Sequence, residues 1–163
     1  MAQIGPPFDF SKLDEILGRI MGTPKIEVLV GYPSGGGDRK SDGHGGEINN
    51  ATLAAIHDLG LGHMPERPFV RQAISNRREV FTRMFADELR QAYAGTQTVE
   101  AAYNKLGLAA SKSIAVEIAR PAPAFQPLTE RTIKRKKSSR PLWDTGQLAQ
   151  SSSWVLRQAG ETK

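Results

Sequence analysis

The sequence predicts an α+β fold: a small, mostly antiparallel sheet packed with two long helices and several short ones, with long flexible loops between them. Three observations lead there. Residues 25–30 alternate apolar and polar as a strand does, and 153–157 are rich in strand-favouring side chains near the other end of the chain. Two stretches between them, 69–94 and 96–118, carry apolar side chains at helical spacing. Sixteen Gly and ten Pro among 163 residues mark much of the remainder as loop.

In chain order, Ser11 is a candidate cap for a short helix whose stripe is Leu13, Ile16, Leu17 and Ile20, with Gly22 beyond its end. Ile26, Val28 and Val30 then face one side of a strand. Residues 33–47 hold Pro, Ser, Gly, Asp and Lys with almost no apolar side chain, which predicts a mobile Gly-rich loop. Ala51, Leu53, Ala54, Ala55, Ile56 and Leu59 predict a helix closed by Gly60. After a Pro-rich bend, one long helix is expected to run to Ala94, burying Val70, Ile74, Phe81, Phe85 and Leu89. Thr96 or Thr98 opens the next, with Val99, Tyr103, Leu106, Ala110, Ile114 and Ile118 as its stripe. Gly107, Ala109, Ala110, Ala115 and Ala119 would let another helix approach closely. Pro121, Pro123 and Pro127 extend the chain before a short helical start at 128–133. The domain reading is an N-terminal helix or arm over 1–24, a single α+β domain over 25–158 with a basic loop at 129–140, and a tail over 159–163.

The chain is long enough for one core. It contains no Cys, which excludes a disulfide framework and thiolate chemistry. No apolar run is long enough to span a membrane, and residues 1–10 lack the pattern of a signal peptide, so a soluble protein made in the cytoplasm is expected. Charge is uneven. Residues 1–119 carry thirteen Lys/Arg against fourteen Asp/Glu, whereas 120–163 carry nine against three. The net +5 thus arises in the C-terminal quarter, around Arg131, Lys134, Arg135, Lys136, Lys137 and Arg140. Such a run suits a solvated loop, an acidic partner surface or nucleic acid. No aromatic side chain is interleaved with it, so a base-stacking platform is not indicated.

Asp144-Thr145-Gly146 is the tripeptide of an aspartic protease. Two such carboxylates must meet to share a proton, so this chain would have to act as a dimer. A flap and a further strand pair would also have to follow, where the sequence has nineteen residues. The simpler reading makes Asp144 or Thr145 the cap of a short helix through Leu148 and Ala149, with Asp144→Ala costing about 1 kcal/mol. Other catalytic patterns fail on spacing. Arg39-Lys40-Ser41 lacks the Gly that a phosphate-binding loop needs before its Lys, and His44, His57 and His63 lack helical metal-ligand spacing. No cofactor, metal or catalytic residue is expected.

Several motifs form an ordered series: Val30-Gly31; His57-Asp58-Leu59-Gly60; Arg67-Pro68-Phe69-Val70-Arg71; a helix around Ile114 leading to Pro127-Leu128-Thr129; and Pro141-Leu142-Trp143-Asp144-Thr145-Gly146-Gln147-Leu148 with Ser151. Over residues 25–157 this order resembles the tail-completion and virion-morphogenesis proteins of tailed bacteriophages. Trp143 departs from that pattern, where a smaller aliphatic residue is expected, and so does the long glycine-rich 33–47 stretch. The resemblance implies an α+β structural subunit of the head–tail neck, without catalysis, found in the virion after synthesis in a bacterial host. It implies a ring of like subunits, commonly six, contacting neighbouring connector proteins and the tail tube, with possible contact to DNA in the lumen and none to a membrane. Loop 33–47 and the arm 129–140 are the candidate contact segments. A dimeric aspartic protease and a basic nucleic-acid-binding module are the alternative readings.

Overall fold

The computed structural model describes residues 11–33, 48–120, 125–136 and 138–160. The expected loop over 33–47 therefore falls almost wholly outside the described residues, as do Lys137 and most of the Pro-rich stretch after Arg120. The elements are α1 (Ser11–Met21), β1 (Ile26–Gly31), α2 (Asn50–Leu59), α3 (Phe69–Ser75), α4 (Arg78–Tyr93), α5 (Val99–Ile118), α6 (Glu130–Lys136), α7 (Gln147–Gln150) and β2 (Ser153–Gln158). This is a mixed α+β arrangement with a two-stranded antiparallel sheet. β1 and β2 pair in register from Ile26 with Gln158 to Gly31 with Ser153, which joins the two ends of the described chain.

α5 is the axis of the fold. The Thr98 side chain caps it, accepting from Ala101 N–H at 3.1 Å. It touches both strands, α3, α4 and α7. Its buried side includes Ala102, Gly107, Ala110, Ile114 and Ile118, at the helical spacing that the sequence displays. Ile114 and Ile118 meet Phe69, Ala73, Ala54, Phe125, Leu142, Leu148 and Ala149 in one core. Against α4, Tyr103 and Phe85 pack edge to face with ring centroids 4.8 Å apart. Lys105 Nζ donates to Glu88 Oε2 at 2.6 Å, and Gln97 Nε2 donates to the same carboxylate at 2.7 Å. Those hydrogen bonds, Lys105 first, hold the Glu88 carboxyl below the usual carboxylate range.

α2 ends as the sequence predicts. Gly60 sits at φ 66, its N–H and that of Leu61 both returning to Ile56 C=O. A Cβ at Gly60 would stand 2.9 Å from Glu66 Cβ, so the following bend folds back tightly on this turn.

Three expectations are corrected. The single helix to Ala94 is two helices, broken at Asn76 and Arg77, where Arg77 leaves helical geometry at φ −117, ψ 13. Ser75 and Asn76 favour turns over helix interiors, and the proposed common stripe divides with them. α3 buries Phe69 and Ala73, whereas Val70, Ile74, Phe81, Phe85 and Leu89 are half-buried. The 129–140 stretch is not simply a loop: α6 occupies Glu130–Lys136, with Thr129 Oγ1 accepting from Thr132 N–H at 3.3 Å and basic side chains in its last turn. α1 has the expected bounds, but none of its residues is buried. Leu13, Ile16, Leu17 and Ile20 remain 38–49% exposed. Arg19 Nη1 donating to Tyr93 C=O at 2.9 Å tethers it to the end of α4.

Candidate functional site

The Arg67–Arg71 block is built from the turn after α2. Asp58, buried at the end of α2, receives Val70 N–H on Oδ1 at 2.8 Å and Arg71 Nε on Oδ2 at 2.9 Å. It thereby caps α3 from another element, since Pro68 at the N-cap has no side-chain acceptor. Arg71 Nη2 also donates to Glu66 Oε1 at 2.6 Å and to Asp58 C=O. The Glu66 bond, then those from Asp58, raise the Arg71 pKa. Phe69 is wholly buried. Arg67 is only 2% exposed, yet its Nε and Nη2 share one acceptor, Gln126 C=O, at 3.4 and 3.3 Å. Among the described residues its Nη1 has no hydrogen-bond partner, and desolvation pushes its pKa down.

The Pro141–Leu148 block lies across the same core. Leu142 is buried and adopts φ 59, the left-handed region, at a cost of about 1–2 kcal/mol for an L-residue. Gly146 takes φ 79 at the N-cap of α7, and a Cβ there would come 3.4 Å from Trp143 Cζ2. Pro141 is half-buried, and Leu148 points into the core.

The capping expectation is corrected: Gly146, not Asp144 or Thr145, occupies the N-cap, and no side chain caps α7 there. Thr145 Oγ1, one position earlier, accepts from Gln147 N–H at 3.3 Å, whereas Asp144 is exposed and makes no hydrogen bond among the described residues. Asp144→Ala is therefore expected to change stability by less than about 0.5 kcal/mol. Urea unfolding of the two proteins checks this, and a loss near 1 kcal/mol would restore Asp144 as the cap.

Tyr32, just past β1, ties the two blocks together. Its ring meets Phe69 edge to face at 6.2 Å, and its hydroxyl donates to Leu148 C=O at 2.9 Å. Burial first, then the negative charge of Asp58, keeps this hydroxyl protonated well above the ordinary tyrosine range. The folded pKa is raised, so the stability from this group is fully present below the unfolded value of about 10 and is lost as pH rises beyond it. Tyr32→Phe is expected to cost about 1 kcal/mol at neutral pH and to soften the alkaline loss. Thermal melts from about pH 9 to 12 decide it. Parallel curves for the two proteins would contradict this assignment.

The basic segment divides into two environments. Arg131, Lys134 and Arg135 are exposed on α6, and none forms an ion pair with a described residue. Lys136, in the last turn of α6, is half-buried. Arg140 is also exposed but is tied down to the fold: its Nη2 donates to Ala119 C=O at the end of α5, at 2.6 Å, and its guanidinium stacks 4.8 Å from the Trp143 ring. Trp143 thus packs between Arg140 and the core. Of the preceding motif, Pro127 is exposed, Leu128 is half-buried and Thr129 caps α6.

Sequence reasoning placed Asp58 only within a motif and missed its capping role. The readable signal was an acid two residues ahead of the Gly that closes α2. Among the described residues, no three His, Asp or Glu side chains gather as a metal site, and no helix is long and apolar enough to cross a membrane. Comparison with protein-family models, curated proteins and solved structures finds no match.

Proposed function

We propose that this chain is a structural subunit of a tailed-phage virion, one copy in the tail-completion ring that joins tail to head. The ordered series of motifs from Val30-Gly31 to Ser151 carries this reading. The packing supports it, because the two most specific motifs serve to build one subunit. Phe69 and Leu148 share the core, Tyr32 bridges them, and Asp58 and Arg71 set the start of α3. Residues of this kind shape a subunit, and the exposed surfaces then do the assembling. α6 presents Arg131, Lys134 and Arg135 outward for an acidic neighbour or for DNA in the lumen.

Deleting the gene tests this directly. The expected lysate contains filled heads and separate tails, and normally joined particles would overturn the proposal. Two other results would replace it. Pepstatin-sensitive peptide cleavage lost in Asp144→Asn would make the chain a protease. Duplex DNA binding that falls steeply with salt, with no assembly defect on deletion, would make it a nucleic-acid-binding module.

A further inference from the structure

Among the described residues, the β1–β2 ribbon has two open edges, and they complement each other. Ala159 N–H donates to Lys25 C=O at 2.7 Å, which sets the phase of the ladder. With the observed register, residue pairs 27/157, 29/155 and 31/153 exchange main-chain hydrogen bonds. The main-chain groups of Ile26, Val28 and Val30 therefore point away from β2, and those of Trp154, Leu156 and Gln158 point away from β1. None of these groups finds another main-chain partner among the described residues, and no third strand joins the sheet there. A two-stranded sheet is marginal by itself, and an unpaired edge is a template for another strand.

The side chains say which strand fits. Trp154 and Val30 turn toward α5 and the core, so the opposite face carries Glu27, Leu29, Val155 and Arg157. Leu29 and Val155 are each 40% exposed, and Arg157 Nη2 reaches Glu27 Oε2 at 2.6 Å. β1 brings the carboxylate and β2 the guanidinium. A β2 strand from a second copy, laid against β1 in the same register, would place its Arg157 beside Glu27 and its Val155 beside Leu29. Pairing β1 with β1 would gather two carboxylates on one face, and pairing β2 with β2 would gather two guanidinium groups.

We infer that β1 of one copy receives β2 of the next, so that the sheet continues from subunit to subunit. Since the two edges lie on opposite sides of the ribbon, the contact is heterologous and satisfies both edges when the ring closes. This inference rests on the ring assembly proposed for the chain and assigns the surface that makes it.

The absence of Cys from the chain makes the test clean. Leu29→Cys and Val155→Cys are made as separate full-length proteins, so that any disulfide must join two copies. Both positions are exposed on the outer face, and both variants are expected to fold. Between copies, 29 and 155 face each other as a non-hydrogen-bonded pair, whose Cα atoms lie about 4.5 Å apart, within disulfide reach. Mixed and mildly oxidised, the two variants are expected to give the Leu29→Cys to Val155→Cys crosslink as the main product. Self-crosslinks of either variant as the main product would overturn head-to-tail pairing. Native mass spectrometry of the unmodified chain separates the two levels. A closed oligomer without the mixed crosslink would sink the edge pairing and leave the ring standing, and a monomer at every concentration would sink both.

Discussion

Phe69→Ala is expected to cost about 3–5 kcal/mol, the range for truncating a buried aromatic side chain. Phe69 has no exposed surface, and it sits where α2, α3, α5 and the Pro141–Leu148 block meet. Its ring also supports Tyr32, whose hydroxyl ties the end of β1 to α7, so the cavity would loosen a second contact. For a chain of this size the loss amounts to a fall in Tm on the order of 10 °C. Val80→Ala is the matched control. Val80 is 61% exposed on α4, and its truncation is expected to stay within about 0.5 kcal/mol. Urea unfolding with both variants reads the difference. A Phe69→Ala loss below about 1 kcal/mol would mean that this side chain is not the centre of the core.

Gly107→Ala is expected to destabilise even though it improves helix propensity. In an isolated helix the change would be worth about 1 kcal/mol in favour of Ala. Here a Cβ would stand 2.9 Å from Trp154 Nε1 and closer still to Cδ1 and Cγ. The indole has little room to yield, because Trp154 lies in β2 and its Nε1 donates to Asn104 Oδ1 at 3.0 Å. Overpacking of this kind costs about 1–3 kcal/mol or more, which outweighs the propensity gain. The sign should reverse when the obstacle is removed. In a Trp154→Val background, Gly107→Ala is expected to be neutral or stabilising, and the double-mutant cycle measures the coupling. A stabilising Gly107→Ala in the parent chain would contradict the packing of β2 on α5.

What was legible in the sequence was local. The stripe of α5, its Thr98 cap, the Gly60 stop of α2 and the alternation of β1 depend on residues within a turn or two, and each stands where periodicity and capping put it. What was not legible depends on residues distant in the chain. Small residues on α5 suggested close approach of another helix, whereas the notch at Gly107 is filled by Trp154 of β2. The α3 start is capped by Asp58 from α2 rather than by its own N-cap residue. Arg140 reads as one more cation in a basic run, yet its hydrogen bond spans twenty-one residues to the end of α5. The α1 stripe shows the converse. Periodicity identified the helix correctly, but burial requires a facing surface, and among the described residues α1 has little beyond the Tyr93 region of α4. The candidate site followed the same division: its motifs were visible in order, and their convergence on Phe69 and Tyr32 was not.

The most direct test of the central claim is quantitative mass spectrometry of purified virions, comparing this chain with the portal protein. A structural ring subunit of six copies on a twelve-fold portal predicts about one chain for every two portal subunits. Absence of the chain from finished particles would contradict the neck assignment and point to a transient assembly factor or an enzyme.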